Sequence, residues 1–203
     1  MDDVCATILR TAEDWSFPVS TEAAERISRY FQLLLEWNFR VNLTGARDSD
    51  ELLGDHLPDS FALARLLPNS SDVVDVGSGG GLPAIPFAIV RPHSRTTLVE
   101  PRAKRVAFLN TVVRVCGCFN VRVIRTRLDE FRSPVFSAAT SRATFSPEEW
   151  LELAPSLLVP GGRIVVLAAK QIQSPVAKLT LVDSVEYRTA HGSPRWAGCF
   201  CST

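Results

Sequence analysis

Apolar side chains recur at helical spacing near the start of the chain. In TEAAERISRYFQLLLEWN (21–38), Ile27, Tyr30, Phe31, Leu34 and Trp37 fall on one face with polar residues opposite. The pattern predicts an amphipathic helix that Ser20 or Thr21 can cap. A turn is expected at Asn42 to Ala46. The run Asp48 to Glu51 then has capping-box spacing ahead of a second helical stretch, with Asp in place of the usual Ser or Thr. Pro58 lacks a backbone N–H and is expected to kink or interrupt that stretch at Leu57. Residues 1–70 therefore read as a helical extension packed on a core formed by residues 71–203.

After Pro68 the period changes. DVVDVG (72–77), TTLVE (96–100), VRVIR (121–125), VFSAAT (135–140) and GGRIVVLAA (161–169) read as strands. Between them PAIPFAIV (83–90), PRAKRVAFLNTVVRVCG (101–117) and SPEEWLELAPSLL (146–158) read as helices, the last capped by Ser146 with Pro147 behind it. Such alternation implies an α/β fold with a mostly parallel sheet and right-handed crossovers over residues 71–203. TLVDSVEYR (180–188) reads as an edge strand, and CFCST ends in another.

A length of 203 residues, 46% hydrophobic and 22% charged, fits one soluble structural domain. The start MDDVCATILR carries acids where a secretion signal carries positive charge, and no apolar run is long enough to span a bilayer. Five cysteines do not suggest a disulfide framework, so a reduced, cytoplasmic protein without membrane contact is expected. The net charge of zero hides an uneven distribution. Residues 1–60 hold five basic and twelve acidic side chains, whereas residues 91–132 hold ten basic and three acidic. Nine of those ten are arginine, whose planar fork suits phosphate and base edges. A solvated helix face is the competing reading of the same charges.

The stretch DVGSGGGLPAIP (75–86) places glycine at 77, 79, 80 and 81, directly after the first predicted strand. A phosphate-gripping P-loop needs Lys-Ser/Thr after its last glycine, and Leu82-Pro83 stands there. The dinucleotide fingerprint would need glycine at Leu82. What remains is G-x-G-x-G at Gly77, Gly79 and Gly81. Glu100, at the end of the next strand, stands where a carboxylate accepts from ribose hydroxyls. An adenosine held without a diphosphate points to S-adenosylmethionine. The plain alternative is a tight strand–helix turn, for which so many glycines are an excess.

Several stretches resemble one family, the bacterial 16S ribosomal RNA guanine-N7 methyltransferases, also called RsmG or glucose-inhibited division protein B. They are LLEWNFRVNLTGARD (34–48), HLPDS (56–60), VVDVGSGGGLPAIPFAIVRP (73–92), LVEPRAKRVAFL (98–109), RLDEF (127–131), SRA (141–143) and LVPGGRIVVLAAK (158–170). The resemblance implies a Rossmann-like class I methyltransferase fold. It also implies S-adenosylmethionine contacts at Gly77, Gly79, Leu82, Glu100, Leu128, Asp129 and Arg142, with the Leu128–Asp129 pair holding the adenine. The implied acceptor is N7 of a guanine of the 527 type, in 16S rRNA or a small-subunit assembly intermediate. Departures from the family pattern are Pro58, Thr144 to Pro147 after SRA, and Gln171 after the strand-five lysine.

Guanine N7 carries its own lone pair, so methyl transfer to it needs no general base, and no catalytic side chain is expected beyond groups that hold the reactants in line. Arg102, Lys104, Arg105, Arg125 and Arg127 are the candidate RNA contacts. Arg142 could equally form a strand-end salt bridge to Asp129 or Asp75. His56 with Asp59 could be a catalytic dyad, but a helix-packing hydrogen bond is the favoured reading. Cys116, Cys118, Cys199 and Cys201 read as buried thiols rather than zinc ligands, and no metal is expected. The four tryptophans read as packing groups. A monomer is expected. A same-fold methyltransferase for small molecules or proteins, and a non-catalytic ribosome-assembly module, remain as rivals.

Overall fold

The computed structural model describes residues 3–132, 135–173 and 176–202. Its centre is a seven-stranded sheet formed by β1 (Asp72–Val76), β2 (Arg95–Val99), β3 (Val121–Ile124), β4 (Phe136–Ser141), β5 (Leu158–Ala168), β6 (Leu179–Arg188) and β7 (Pro194–Ser202). The spatial order is β3-β2-β1-β4-β5-β7-β6. β1 to β5 run parallel, and β7 is antiparallel to both its neighbours, which leaves β6 at the edge. Thr203, the last residue of the expected final strand, lies outside the described residues. The direction of winding reverses between β1 and β4, and ligands bind at the carboxyl ends of strands at such a switch point.

Helices cover both faces, which is why the central strands are buried on both sides rather than alternating. Val73, Ala138, Val165 and Ala197 meet α4 (Leu57–Leu66) and Phe87 of α5 (Ala84–Val90). Beside them, α1 (Asp3–Asp14), α2 (Thr21–Val41), α5 and α6 (Ala103–Val115) share one apolar cluster with Leu98 and Val121. On the other face Val74, Val76, Ile164 and Val166 meet Trp150 and Leu151 of α7 (Pro147–Leu153). Among the described residues no helix is long and apolar enough to cross a membrane.

The local signals for helix ends mostly operate as expected. Ser20 Oγ accepts from Ala23 N at 3.1 Å, and Ser146 forms a complete capping box with Glu149. Asp48 accepts from Glu51 N at 2.9 Å, but Glu51 reaches back to Arg47 instead of to Asp48. The expected turn at 42–46 is built around Asn38. Its Oδ1 accepts from Leu43 N at 2.7 Å and Thr44 N at 3.0 Å, while Nδ2 donates to Thr44 O at 2.9 Å.

Around Pro58 the helix changes its hydrogen-bond register instead of ending. The short α3 (Ser49–Glu51) passes into a π-helical segment, Leu52–His56, and α4 begins with Pro58 in its first turn. There the missing N–H costs least. In a continuous α-helix that N–H would serve Gly54 O. Gly54 O instead accepts from Ala190 N at 3.0 Å, in the turn between β6 and β7. The approach is close enough that a Cβ on Gly54 would lie 2.4 Å from the Ala190 Cβ. Gly54→Ala is therefore expected to lower the melting temperature by several degrees, since overpacking costs about 1–3 kcal/mol and ~1 kcal/mol is roughly 2–4 °C at this size. Thermal unfolding of Gly54→Ala with and without Ala190→Gly checks this: the second change should restore most of the loss.

Candidate cofactor and substrate site

The glycine loop leaves β1 at Val76 and must turn within a few residues into α5. Gly77, Gly79 and Gly81 take φ of +76°, +56° and +89°, which side-chain-bearing residues rarely adopt. Gly77 N and Ser78 N both donate to Val99 O, at 2.8 and 3.2 Å, and so fasten the loop to the end of β2. Tyr30 of α2 donates from its hydroxyl to Gly80 O at 2.7 Å, tying the loop to the helical layer.

Glu100 lies beneath this loop with 2% exposure. One carboxylate oxygen accepts from Gly79 N at 2.9 Å and the other from Arg102 N at 2.8 Å. Arg105 stands 3.9 Å from the carboxylate and donates to Asn42 O at 3.2 Å. One arginine thus joins the end of α2 to the strand-two acid.

Two cavities flank the switch point. The first, about 440 Å³, lies over the ends of β1 to β3 and is lined by Val76, Gly77, Val99, Leu128, Asp129 and Phe145 among others. Its walls are largely apolar and suit a flat heterocycle, with Asp129 as an acceptor at the rim. The second, about 400 Å³, lies over the ends of β4 and β5 and is lined by His56, Asp59, Arg142, Phe145, Trp150 and Arg195 among others. Phe145 belongs to both. The segment between them presses on the glycine loop, because a Cβ on Gly77 would sit 2.1 Å from Thr144 Oγ1.

The second cavity is organised by a buried polar cluster. Arg142 Nη1 donates to His56 Nδ1 at 2.9 Å and to Asp59 Oδ2 at 2.8 Å. Tyr187 of β6 donates its hydroxyl to Asp59 Oδ1 at 2.7 Å. The partner of Arg142 is therefore Asp59, not the Asp129 or Asp75 considered from sequence. His56 packs through Arg142 rather than forming a dyad with Asp59. Burial, helped by the Arg142 charge, lowers the His56 pKa to about 4.

Asp75, at 1% exposure, has an Oδ2 with no hydrogen-bond partner, and burial raises its pKa to about 7. These two groups act oppositely on stability. The Asp75 contribution is full below its ordinary value of 3.8 and is lost as pH rises through about 7. The His56 contribution is full above its ordinary value of 6.5 and is lost as pH falls through about 4. They offset one another between those limits. His56→Gln removes one side of the balance, so on acidification from pH 7.5 to 5 its melting temperature should gain several degrees relative to the parent. Parallel melting curves for the two proteins would sink this reading.

Of the residues expected from sequence, Gly77, Leu128 and Asp129 line the first cavity, and Arg142 lines the second. Gly79 is half-buried beside Arg105, and Leu82, 6% exposed, turns its side chain into the core. Arg102, Lys104, Arg125 and Arg127 are exposed; Arg127 stands on the wall of the first cavity, 3.3 Å from Asp129, and Arg102 and Arg125 adjoin Pro101 and Thr126 of its lining. Arg105 is half-buried and already engaged. Cys116, Cys118 and Cys199 are buried as expected, whereas Cys201 is half-buried on β7, where its neighbour is the Gly161 carbonyl; among the described residues no three His, Cys, Asp or Glu converge on a possible metal position. Trp150 and Trp196 are core residues. Sequence reasoning did not find Tyr187, Arg195 or Phe145.

The family model described as rRNA small subunit methyltransferase G matches residues 23–191. Ribosomal RNA small subunit methyltransferase G of Wolinella succinogenes is 37% identical over 158 residues, which is 78% of this chain and 81% of that protein. The protein of the same name from Halorhodospira halophila is 32% identical over 188 residues, covering 92% and 88% of the two chains. In fold, the chain is similar to an O-methyltransferase from Bacillus cereus solved with SAH, with a TM-score of 0.63 at 13% identity over 95% of this chain and 96% of that one. A methyltransferase from Aquifex aeolicus described as SAM-dependent gives 0.56 at 15% identity over 77% and 94%. With a matched model across most of its length and relatives above 30% identity, the chain belongs to the rRNA small subunit methyltransferase G family.

Proposed function

We propose that this protein transfers a methyl group from S-adenosylmethionine to N7 of a guanine in 16S rRNA, in free RNA or in a small-subunit assembly intermediate. The observation that carries the reading is the pair of cavities meeting at Phe145 on the switch point, in a chain of this family. The reading includes a cytoplasmic monomer that works without a metal.

The residues present suit the cofactor. The first cavity offers apolar walls for an adenine between Val99, Leu128 and Phe145, with Asp129 at its edge. Gly77 and Gly79 bring backbone close where a side chain would intrude, and Leu82 acts through its backbone. Glu100 fixes the loop while each of its oxygens keeps further acceptor capacity. The unpartnered Asp75 Oδ2 is a place for a cationic group. Once bound, the sulfonium supplies an electrophilic methyl.

The chain's own residues then have to position and shield. Phe145, backed by the buried ring of Trp150, forms apolar surface on which an unstacked base can rest, and N7 attacks without losing a proton. The pairing of Asp59 with Arg142 keeps the second cavity from carrying a large excess of positive charge against the cationic product. Arg102, Lys104, Arg125 and Arg127 offer phosphate contacts at the rim, so binding should weaken steeply with salt.

The test is incubation with undermethylated small-subunit RNA and labelled S-adenosylmethionine, followed by mapping of the modified base. A single guanine bearing an N7 methyl is expected. Label in no RNA guanine, or activity only on small acceptors without salt dependence, would overturn the proposal.

A further inference from the structure

We infer that His56 reads the O6 atom of the target guanine, by donating a hydrogen bond from Nε2–H inside the second cavity. This rests on the guanine-N7 reading above and adds to it the group that distinguishes guanine from adenine.

The tautomer of His56 is fixed by its neighbour. Arginine has five N–H donors and no acceptor, so the 2.9 Å contact from Arg142 Nη1 requires a lone pair on His56 Nδ1. The ring proton of a neutral imidazole is then on Nε2. Arg142 is held in turn by Asp59, at 2.8 Å, and Asp59 by Tyr187, at 2.7 Å, so the ring orientation is locked by three elements. His56 is half-buried and lines the second cavity together with the ends of β4 and β5. Burial and the Arg142 charge keep the ring neutral across the physiological range. Neutrality matters here, since the base becomes cationic on methylation and an imidazolium beside it would oppose the transfer.

The chemistry of the base supplies the rest. On the edge that carries N7, guanine presents two acceptors, N7 and O6, whereas adenine presents N7 and an amino donor at the equivalent place. N7 must keep its lone pair for the methyl group, so a protein can recognise guanine on this edge by donating to O6 alone. A donor aimed there is satisfied by guanine and faces another donor with adenine. Besides His56, the polar side chains lining this cavity are Arg142 and Arg195, both charged donors, and Asp59, an acceptor. Two further neutral donors line it, but the Ser141 hydroxyl already donates to Val76 O at 2.8 Å and the Trp150 Nε1–H is fully buried. His56 is the half-buried neutral donor of the set.

The experiment uses the whole protein and small-subunit RNA whose target guanine is replaced by 2-aminopurine, which keeps N7 and lacks O6. For the parent protein, kcat/KM for methyl transfer is expected to fall about 10- to 100-fold on the modified RNA. His56→Ala should lose a similar factor on guanine RNA and then change less than about threefold between the two RNAs. His56→Gln, whose amide N–H can occupy the place of Nε2–H, should recover both activity and discrimination, and His56→Asn, which is too short, should recover neither. S-adenosylhomocysteine affinity should be unchanged in all three, because the ring lies outside the first cavity. Full discrimination retained by His56→Ala and His56→Asn would overturn the inference. A parent protein that methylates no guanine N7 in unmodified RNA would instead overturn the reading on which it rests.

Discussion

Glu100→Ala is expected to weaken binding of S-adenosylhomocysteine about a hundredfold or more, which corresponds to ~2.7 kcal/mol. The reason is not a single lost contact. The carboxylate is buried and holds two backbone N–H groups, those of Gly79 and Arg102, so it fixes the glycine loop relative to the end of β2. Hydrogen bonds to a charged group are worth roughly 1.5–3 kcal/mol each, and their donors would be left poorly satisfied. Arg105 would also lose the anion beside which it sits. Glu100→Gln should be nearly as damaging, since its amide has one acceptor oxygen for two N–H donors. Calorimetric titration of the three proteins checks this, and equal affinities would remove Glu100 from the site.

Asp59→Ala should produce the largest loss of stability. Asp59 is 5% exposed and accepts from both Arg142 and Tyr187. Removing it leaves a cation and a hydroxyl in a partly closed site without their partner, and breaking a buried pair in this way costs about 3–5 kcal/mol. For a chain of this size that is a melting temperature lower by roughly 6–20 °C. Tyr187→Phe removes only one neutral donor and should cost about 1 kcal/mol. Thermal and urea unfolding of both variants would separate these outcomes. A loss under ~1 kcal/mol for Asp59→Ala would mean that Arg142 is held by something other than this carboxylate.

The part of the site that could be read in the sequence is the part built from local rules. The glycines at 77, 79 and 81 advertise a backbone that must take positive φ, and all three do so. Glu100 follows from strand alternation, and Ser20 and Ser146 from helix-cap preference. The second cavity was not readable in the same way. Arg142 and Asp59 are 83 positions apart, and Asp59 and Tyr187 are 128 apart. No periodicity links a strand end to a helix face on the far side of a topological crossover. Local chemistry also misplaces the start of β5. The sequence starts that strand at Gly161 and runs the preceding helix to Leu158, whereas the helix stops at Leu153, a 3-10 turn follows over Ala154–Leu157, and the strand begins at Leu158 with an irregular pairing between Phe136/Leu158 and Ala138/Arg163.

The carbonyl of Gly54, left free by Pro58, is claimed by Ala190 from the last hairpin. That exchange sets an order of completion. The cofactor half of the molecule is bounded by β1, β2, β3 and the Thr144–Phe145 segment that follows β4, but the wall that carries His56 and Asp59 is anchored from β6 and the turn after it. During synthesis the acceptor side therefore stays open until β6 and β7 have emerged and closed on the π-helical turn. A variant shortened before β6 would keep the glycine loop and lose both contacts that hold the acceptor wall, the one from Tyr187 to Asp59 and the one from Ala190 to Gly54.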